Sequence, residues 1–217
     1  MSDNKMKKVS LLIYACLLSG CSLLGNDEPL PLYILKSKAF ESSNALSVPL
    51  AIEVPLSEAS LNTSRIAVTP SSYQRNYLAD GAWPERLPKI FQKVLLEGLS
   101  QRWGETYVNR MSMGLKTKYV LQSEIQDFSA YDLDKNTPTV YLKVSFKLID
   151  FHERQVIAAK IFSETTPVSS PTMQGIVGAF NQGVHCLLEK IVPWMEDVFL
   201  KESLLNSRKN KLCSKGR

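Results

Sequence analysis

Histidine is almost missing from this chain: among 217 residues only His152 and His185 carry an imidazole. No Gly-x-Ser-x-Gly elbow accompanies them, so a hydrolase-type nucleophile and base have no frame. His185 and Cys186 are neighbours, so on a helix they point to different sides and cannot share a metal ion. A phosphate-cradling Gly-rich loop ending in Gly-Lys-Ser/Thr is missing too, which excludes the chain as an ATP-hydrolysing subunit. The residues therefore predict no enzyme, no metal and no cofactor. A long apolar run is also lacking, since residues 9–18 give about half of what a spanning helix needs. Both histidines are expected at a surface or interface.

Charge excludes a further class. The formal net charge is +5, but residues 201–217 hold six basic residues against Glu202, whereas residues 21–200 hold 17 basic and 19 acidic ones. No basic stripe interleaved with aromatics runs through the body, so nucleic acid is not an expected partner.

What is present begins with Lys5, Lys7 and Lys8, an apolar run, and Leu18-Ser19-Gly20-Cys21. Basic, then apolar, then small residues up to a cysteine is the order of a secretion signal, here residues 1–20, cleaved to leave Cys21 first. Ser19 and Gly20 let a peptidase groove take the backbone extended, and the Cys21 thiol can accept a diacylglyceryl group. All four positions resemble the lipobox of bacterial lipoproteins. Two acyl chains, at roughly 0.8 kcal/mol per buried methylene, hold a protein stably on a bilayer. Met6 is a second candidate start. Ser22, not aspartate, resembles the type that Gram-negative bacteria forward to the outer membrane. Residues 21–31 read as a tether of at most roughly 35 Å, with Gly25, Asn26, Pro29 and Pro31 resisting regular structure. Cys16 leaves with the signal and Cys21 is acylated. Cys186 and Cys213 remain, and the expectation is a buried free Cys186 and a mobile Cys213 rather than a bridge.

The remainder reads as one domain, residues 32–200, with a basic, disordered tail over residues 201–217. Residues 32–35, 47–54, 65–69 and 73–79 are strand candidates; Pro49 marks the second as an edge, and Asp80-Gly81 marks a turn after the fourth. A helix over residues 84–102 follows from Leu87, Ile90, Phe91, Val94, Leu95 and Leu99, with Pro84 in its first turn. Residues 118–128, 139–149 and 156–162 form an antiparallel meander. In the first of these Tyr119, Leu121 and Ile125 face one way and Gln122, Glu124 and Gln126 the other; the second puts Val140, Leu142, Val144, Phe146 and Leu148 inward. One face of that sheet is wet. A second long helix opens at Ser170-Pro171, is kinked or ended by Pro193, and adds a turn or two up to residue 200. Gly175, Gly178 and Gly183 in it imply close backbone approach. The expected class is two-layer α+β: a mixed or antiparallel sheet with two long helices on one face.

Leu61-Asn62-Thr63-Ser64-Arg65-Ile66-Ala67-Val68, then Tyr77-Leu78-Ala79-Asp80-Gly81-Ala82-Trp83, then Leu87-Pro88 resembles the signature of the ABC-type transport auxiliary lipoproteins, the PqiC-like components. The resemblance implies a periplasm-facing lipoprotein on the outer membrane. It would help an MCE-domain protein and its permease and ATPase move phospholipid or a related lipid between membranes. Self-association stays open. Two other classes remain: docking to and activating a cell-wall synthase, against which the short tether argues, and carrying a lipid itself, which would need an apolar cavity. Tyr73, Tyr77 and Trp83 cluster before the first helix. They either pack as core or, for Tyr77 and Trp83, present an amphipathic patch to the partner. The tail is either solvated or drawn weakly to anionic headgroups.

Overall fold

The computed structural model describes residues 29–37, 40–43, 49–71, 73–133 and 137–214, without the side chains of 206 and 208–214. Residues 18–21, and with them the predicted cleavage and lipidation site, lie outside that set. The elements run β1 (Leu50–Ile52), β2 (Leu56–Ser57), β3 (Arg65–Ser71), β4 (Gln74–Ala82), α1 (Leu87–Trp103), β5 (Val108–Arg110), β6 (Tyr119–Tyr131), β7 (Thr139–Asp150), β8 (Gln155–Pro167) and α2 (Met173–Ser214).

The α+β class stands: one mixed eight-stranded sheet and two helices share a single hydrophobic core. β6 organises the sheet. Along one edge it pairs antiparallel with β7 over its whole length, and β7 pairs with β8, giving the expected meander. Its other edge takes three short parallel pieces in succession: β1 at Tyr119–Leu121, β2 at Glu124 and Ile125, and β3 at Ala130 and Tyr131. β5 then adds outside β1, and β4 outside β3.

Along β7 the inward set is as predicted, with Val140, Leu142, Val144, Phe146 and Leu148 all at most 1% exposed. β6 departs from its simple alternation. Ile125 pairs with Val144 but Asp127 with Lys143, so Gln126 is an extra residue and the inward phase moves from odd to even positions. Phe128 and Ala130 are buried as a result.

Several expectations need correction. β1 is interior, between β5 and β6, because Pro49 precedes it and contributes only its carbonyl, which accepts from the Lys118 and Tyr119 N–H groups at 2.9 and 3.1 Å. Residues 32–35 form no strand; Leu32 makes one isolated parallel bridge to Ala82. β4 runs through Asp80-Gly81 rather than turning there. α1 starts at Leu87, so Pro84 precedes it and Pro88 occupies the first turn, where its missing donor costs nothing. For α2 the cap is Thr172, not Ser170: its Oγ1 accepts from the Gly175 N–H at 3.2 Å.

α2 also passes Pro193 without ending. A helix-interior proline costs about 3 kcal/mol. Beyond it Met195 and Phe199 are buried, worth about 1.5–3 kcal/mol each. Glu196 adds bonds to Arg102 Nε at 2.9 Å and Trp103 Nε1 at 3.0 Å. Packing outweighs the local rule, and the backbone stays helical to Ser214 where a disordered tail was expected.

The two layers close on a ring cluster. Phe128 of β6 stacks on Phe180 of α2 at 4.9 Å, and Phe91 of α1 meets Phe128 edge-on at 6.1 Å. Trp83 stands edge-on to Phe128 and Phe180 at 6.3 and 5.5 Å. Gly183 lets α2 approach the sheet, since a Cβ there would lie 3.0 Å from Leu142 and Thr166; Gly178 faces open space.

Candidate docking surface

The residues that carry the family resemblance meet in one place. The Trp83 N–H donates to Ser64 O at 2.7 Å, the Leu87 N–H to Thr63 O at 3.0 Å, and Leu61 is buried beneath them. The β3–β4 ladder pairs Arg65 with Ala82 and Ala67 with Tyr77, so Leu78-Ala79-Asp80-Gly81 contains extra residues that bend the strand. That bend turns Trp83 into the core. At Ala82 the strand also receives the N-terminal segment: Ala82 N–H donates to Pro31 O at 3.0 Å and Tyr33 N–H to Ala82 O at 2.8 Å.

Trp83 is 2% exposed. The partner-contact role considered for it is corrected: an indole boxed in by Phe128 and Phe180 reaches no partner. Tyr77 is half-buried and held. Its hydroxyl donates to Ser60 O at 3.0 Å, and the Arg65 guanidinium lies 4.0 Å over its ring. Tyr73, at the tip of the hairpin, is fully exposed. Among the described residues β4 pairs beyond β3 only with Leu32, so most of its outer edge keeps free backbone groups. Such an edge, beside an exposed tyrosine, can accept a partner's strand or loop.

Behind the hairpin one guanidinium meets two carboxylates. Arg75 of β4 pairs with Glu58 and lies 3.8 Å from Asp127, and its Nη1 donates to Ser60 Oγ at 2.6 Å. Asp127 accepts from the Tyr131 hydroxyl at 2.6 Å; burial first, then that carboxylate, push the phenol up to about 12. The group ties the hairpin base to Glu58 and to β6.

The histidines build no site. His185 is buried rather than at a surface, with Nε2 3.1 Å from Glu189 and its ring 5.8 Å from Phe40. His152 sits in the β7–β8 turn, its N–H donating to Asp150 Oδ1 at 3.0 Å. No three His, Cys, Asp or Glu side chains gather to hold a metal among the described residues. Cys186 has a free, half-buried thiol. One further concavity, an open groove of about 460 Å3 between α1 and β5, mixes Leu96, Val108 and Met113 with Ser100, Glu105 and Arg110.

The described residues thus present a small α+β body with an open sheet edge and an exposed hairpin tip. A family model described as ABC-type transport auxiliary lipoprotein component matches residues 35–192, and the chain belongs to that family. Membership places it with the lipoproteins of the cell envelope that serve ABC transport. No described helix is long and apolar enough to cross a membrane. The crystal structure of protein XCC0632 from Xanthomonas campestris shares the fold at TM-score 0.71 and 16% identity, covering 80% of this chain and 99% of that one. A second solved structure, of an uncharacterized protein, aligns at TM-score 0.59 and 15% identity over 75% of this chain and 99% of its own. No curated protein matches the sequence.

Tyr73 was in the predicted aromatic cluster but not singled out from it. The run Pro70-Ser71-Ser72 between two extended segments was the available signal that it stands at a tip.

Proposed function

We propose that this chain is a non-catalytic auxiliary component of an MCE-type ABC transport system, lipid-anchored through Cys21 to the outer membrane and facing the periplasm. Its partners are an MCE-domain protein and the associated permease and ATPase, and the cargo class is phospholipid or a related lipid. The hairpin tip with Tyr73, the flanking β4 edge and the outer part of Tyr77 form the docking surface. The observation that carries the reading is the filled interior. The inward side chains of β6, β7, α1 and α2 contact one another, with ring centroids 4.9 to 6.3 Å apart in the cluster around Phe128. Described side chains occupy the place where a carried lipid would lie, which supports docking over carriage.

The test is affinity purification of the lipidated protein from its own membranes, with mass spectrometry of associated proteins and lipids. The expected result is an MCE-domain protein and its permease, with lipid following the partner. Tyr73→Ala should lose that partner while the melting temperature stays within about 2 °C, because exposed positions move stability by only about 0.5 kcal/mol. Recovery of a cell-wall synthase without MCE proteins would overturn the reading. Lipid retained by this chain alone would make it a carrier.

A further inference from the structure

Beyond Phe199 the second helix leaves the body. Among the described side chains Phe199 is the last of α2 in the core, its ring 5.7 Å from Trp103 and 5.2 Å from Tyr119. The helix then runs on to Ser214 and bares Leu200, Leu204 and Leu205, which are 60, 54 and 50% exposed. At about 100° per residue these three leucines and Lys201 fall within an arc of about 140°. That arc faces away from the stripe of Ile191, Met195 and Phe199, which packs on the body. Helical backbone positions 208, 211 and 212, occupied by Arg, Lys and Leu, repeat the same arc.

Charge separates this stretch from the rest. Residues 201–217 carry six basic residues against one acidic, while residues 21–200 carry 17 against 19. Of the basic residues, Lys201 pairs with Asp197 one turn back, at 2.6 Å. An isolated helix of this length is marginal in water. It is stabilised where one face can enter an apolar layer and basic residues on the same face can reach anions above it. An apolar groove on a protein would take a leucine stripe free of lysine; leucine and lysine interleaved within one arc match a lipid interface instead.

We propose that residues 200–214 lie as an amphipathic foot on the surface of an anionic lipid bilayer, leucines at the acyl boundary and basic residues among the headgroups. Residues 34 and 36 join α2 at Asn181, which receives the Lys36 N–H at 2.7 Å and donates to Ile34 O at 3.3 Å. From Asn181 to Leu200 the helix advances roughly 29 Å, so the foot begins well beyond that junction.

The experiment uses the chain from residue 21 onward, as cleavage of the signal would leave it, carrying Cys21→Ser and floated with vesicles of phosphatidylethanolamine and phosphatidylglycerol at about 3:1, or of phosphatidylcholine alone. The readout is the difference between the two vesicles, to which residues 21–31, with no basic residue, add no anionic preference. Binding to the anionic vesicles should be about tenfold tighter or more, since each basic residue near such a surface contributes about fivefold. The variant Lys201→Gln/Arg208→Gln/Lys209→Gln/Lys211→Gln should abolish the preference. Leu200→Ser/Leu204→Ser/Leu205→Ser should weaken anionic binding about tenfold, and a chain ending at Leu200 replaces either variant if it fails to fold. Equal binding to both vesicles, or a preference that survives these changes, overturns the proposal. So does retention of an acidic protein by the tail without any vesicle preference.

Discussion

Gly81 is where the bend in β4 can be tested most sharply. A Cβ added there would stand 2.4 and 2.8 Å from two ring atoms of Tyr33 and 2.7 Å from the end of Met173. The methionine can swing away. The tyrosine has less freedom, because its own N–H is tied to Ala82 O at 2.8 Å, beside the glycine, and its ring packs on the core. Forcing one extra carbon into such a site costs about 1–3 kcal/mol. Gly→Ala returns about 0.4–1 kcal/mol by restricting the unfolded chain. Gly81→Ala should therefore lose about 1–2 kcal/mol, or about 2–8 °C for a domain of this size. Urea denaturation followed by circular dichroism measures it. In a Tyr33→Ala background the same change should be neutral or stabilising, a coupling well above about 0.5 kcal/mol. An unchanged or more stable Gly81→Ala in the parent, or simple additivity with Tyr33→Ala, would refute the placement of that ring.

Two further outcomes follow from buried groups. Trp83→Ala should cost about 3–5 kcal/mol, and any loss of partner binding should vanish under conditions that keep the variant folded, since its ring faces Phe128 and Phe180. At the start of β6, Lys118 Nζ lies 2.5 Å from Asp150 Oδ2. Burial would push the Asp150 carboxyl up, but that ammonium and the N–H groups of Glu153 and His152 outweigh it and hold the carboxyl below its ordinary 3.8. The hydrogen bond to Asp150 likewise raises Lys118 above 10.5. The carboxylate's contribution is thus full above about pH 4 and is lost as pH falls through its lowered value; the ammonium's is full below 10.5 and is lost as pH rises through its raised one. Asp150→Asn should flatten the acid limb of a stability-against-pH curve measured by urea midpoints; an acid limb as steep as the parent's would show that this carboxyl carries none of it.

How much of this was legible beforehand depends on whether a residue's role is local. The β7 alternation was readable because every second side chain enters one core and nothing interrupts the period. β6 was half-readable: the extra residue at Gln126 changes the phase, and nothing in the sequence marks it until the register with β7 is known. β1 has three residues, too few to carry a period, and its interior place comes from partners more than fifty residues away. Pro193 was read by its local cost, whereas Met195, Glu196 and Phe199 decide the helix through contacts with α1 and β6. The same distinction governs function. A lipobox is recognised in an extended chain, so the proposal that Leu18-Ser19-Gly20-Cys21 is one needs no fold. Tyr73, Tyr77 and Trp83 are alike in sequence, yet one is fully exposed, one is pinned by Ser60 and Arg65, and one is core. A docking surface consists of what packing leaves over, so it becomes visible only once the packing is known. The residues that carry the family resemblance thus mark the joint that bends β4, and the hairpin tip and edge that this joint holds in place are where the proposed docking is to be tested.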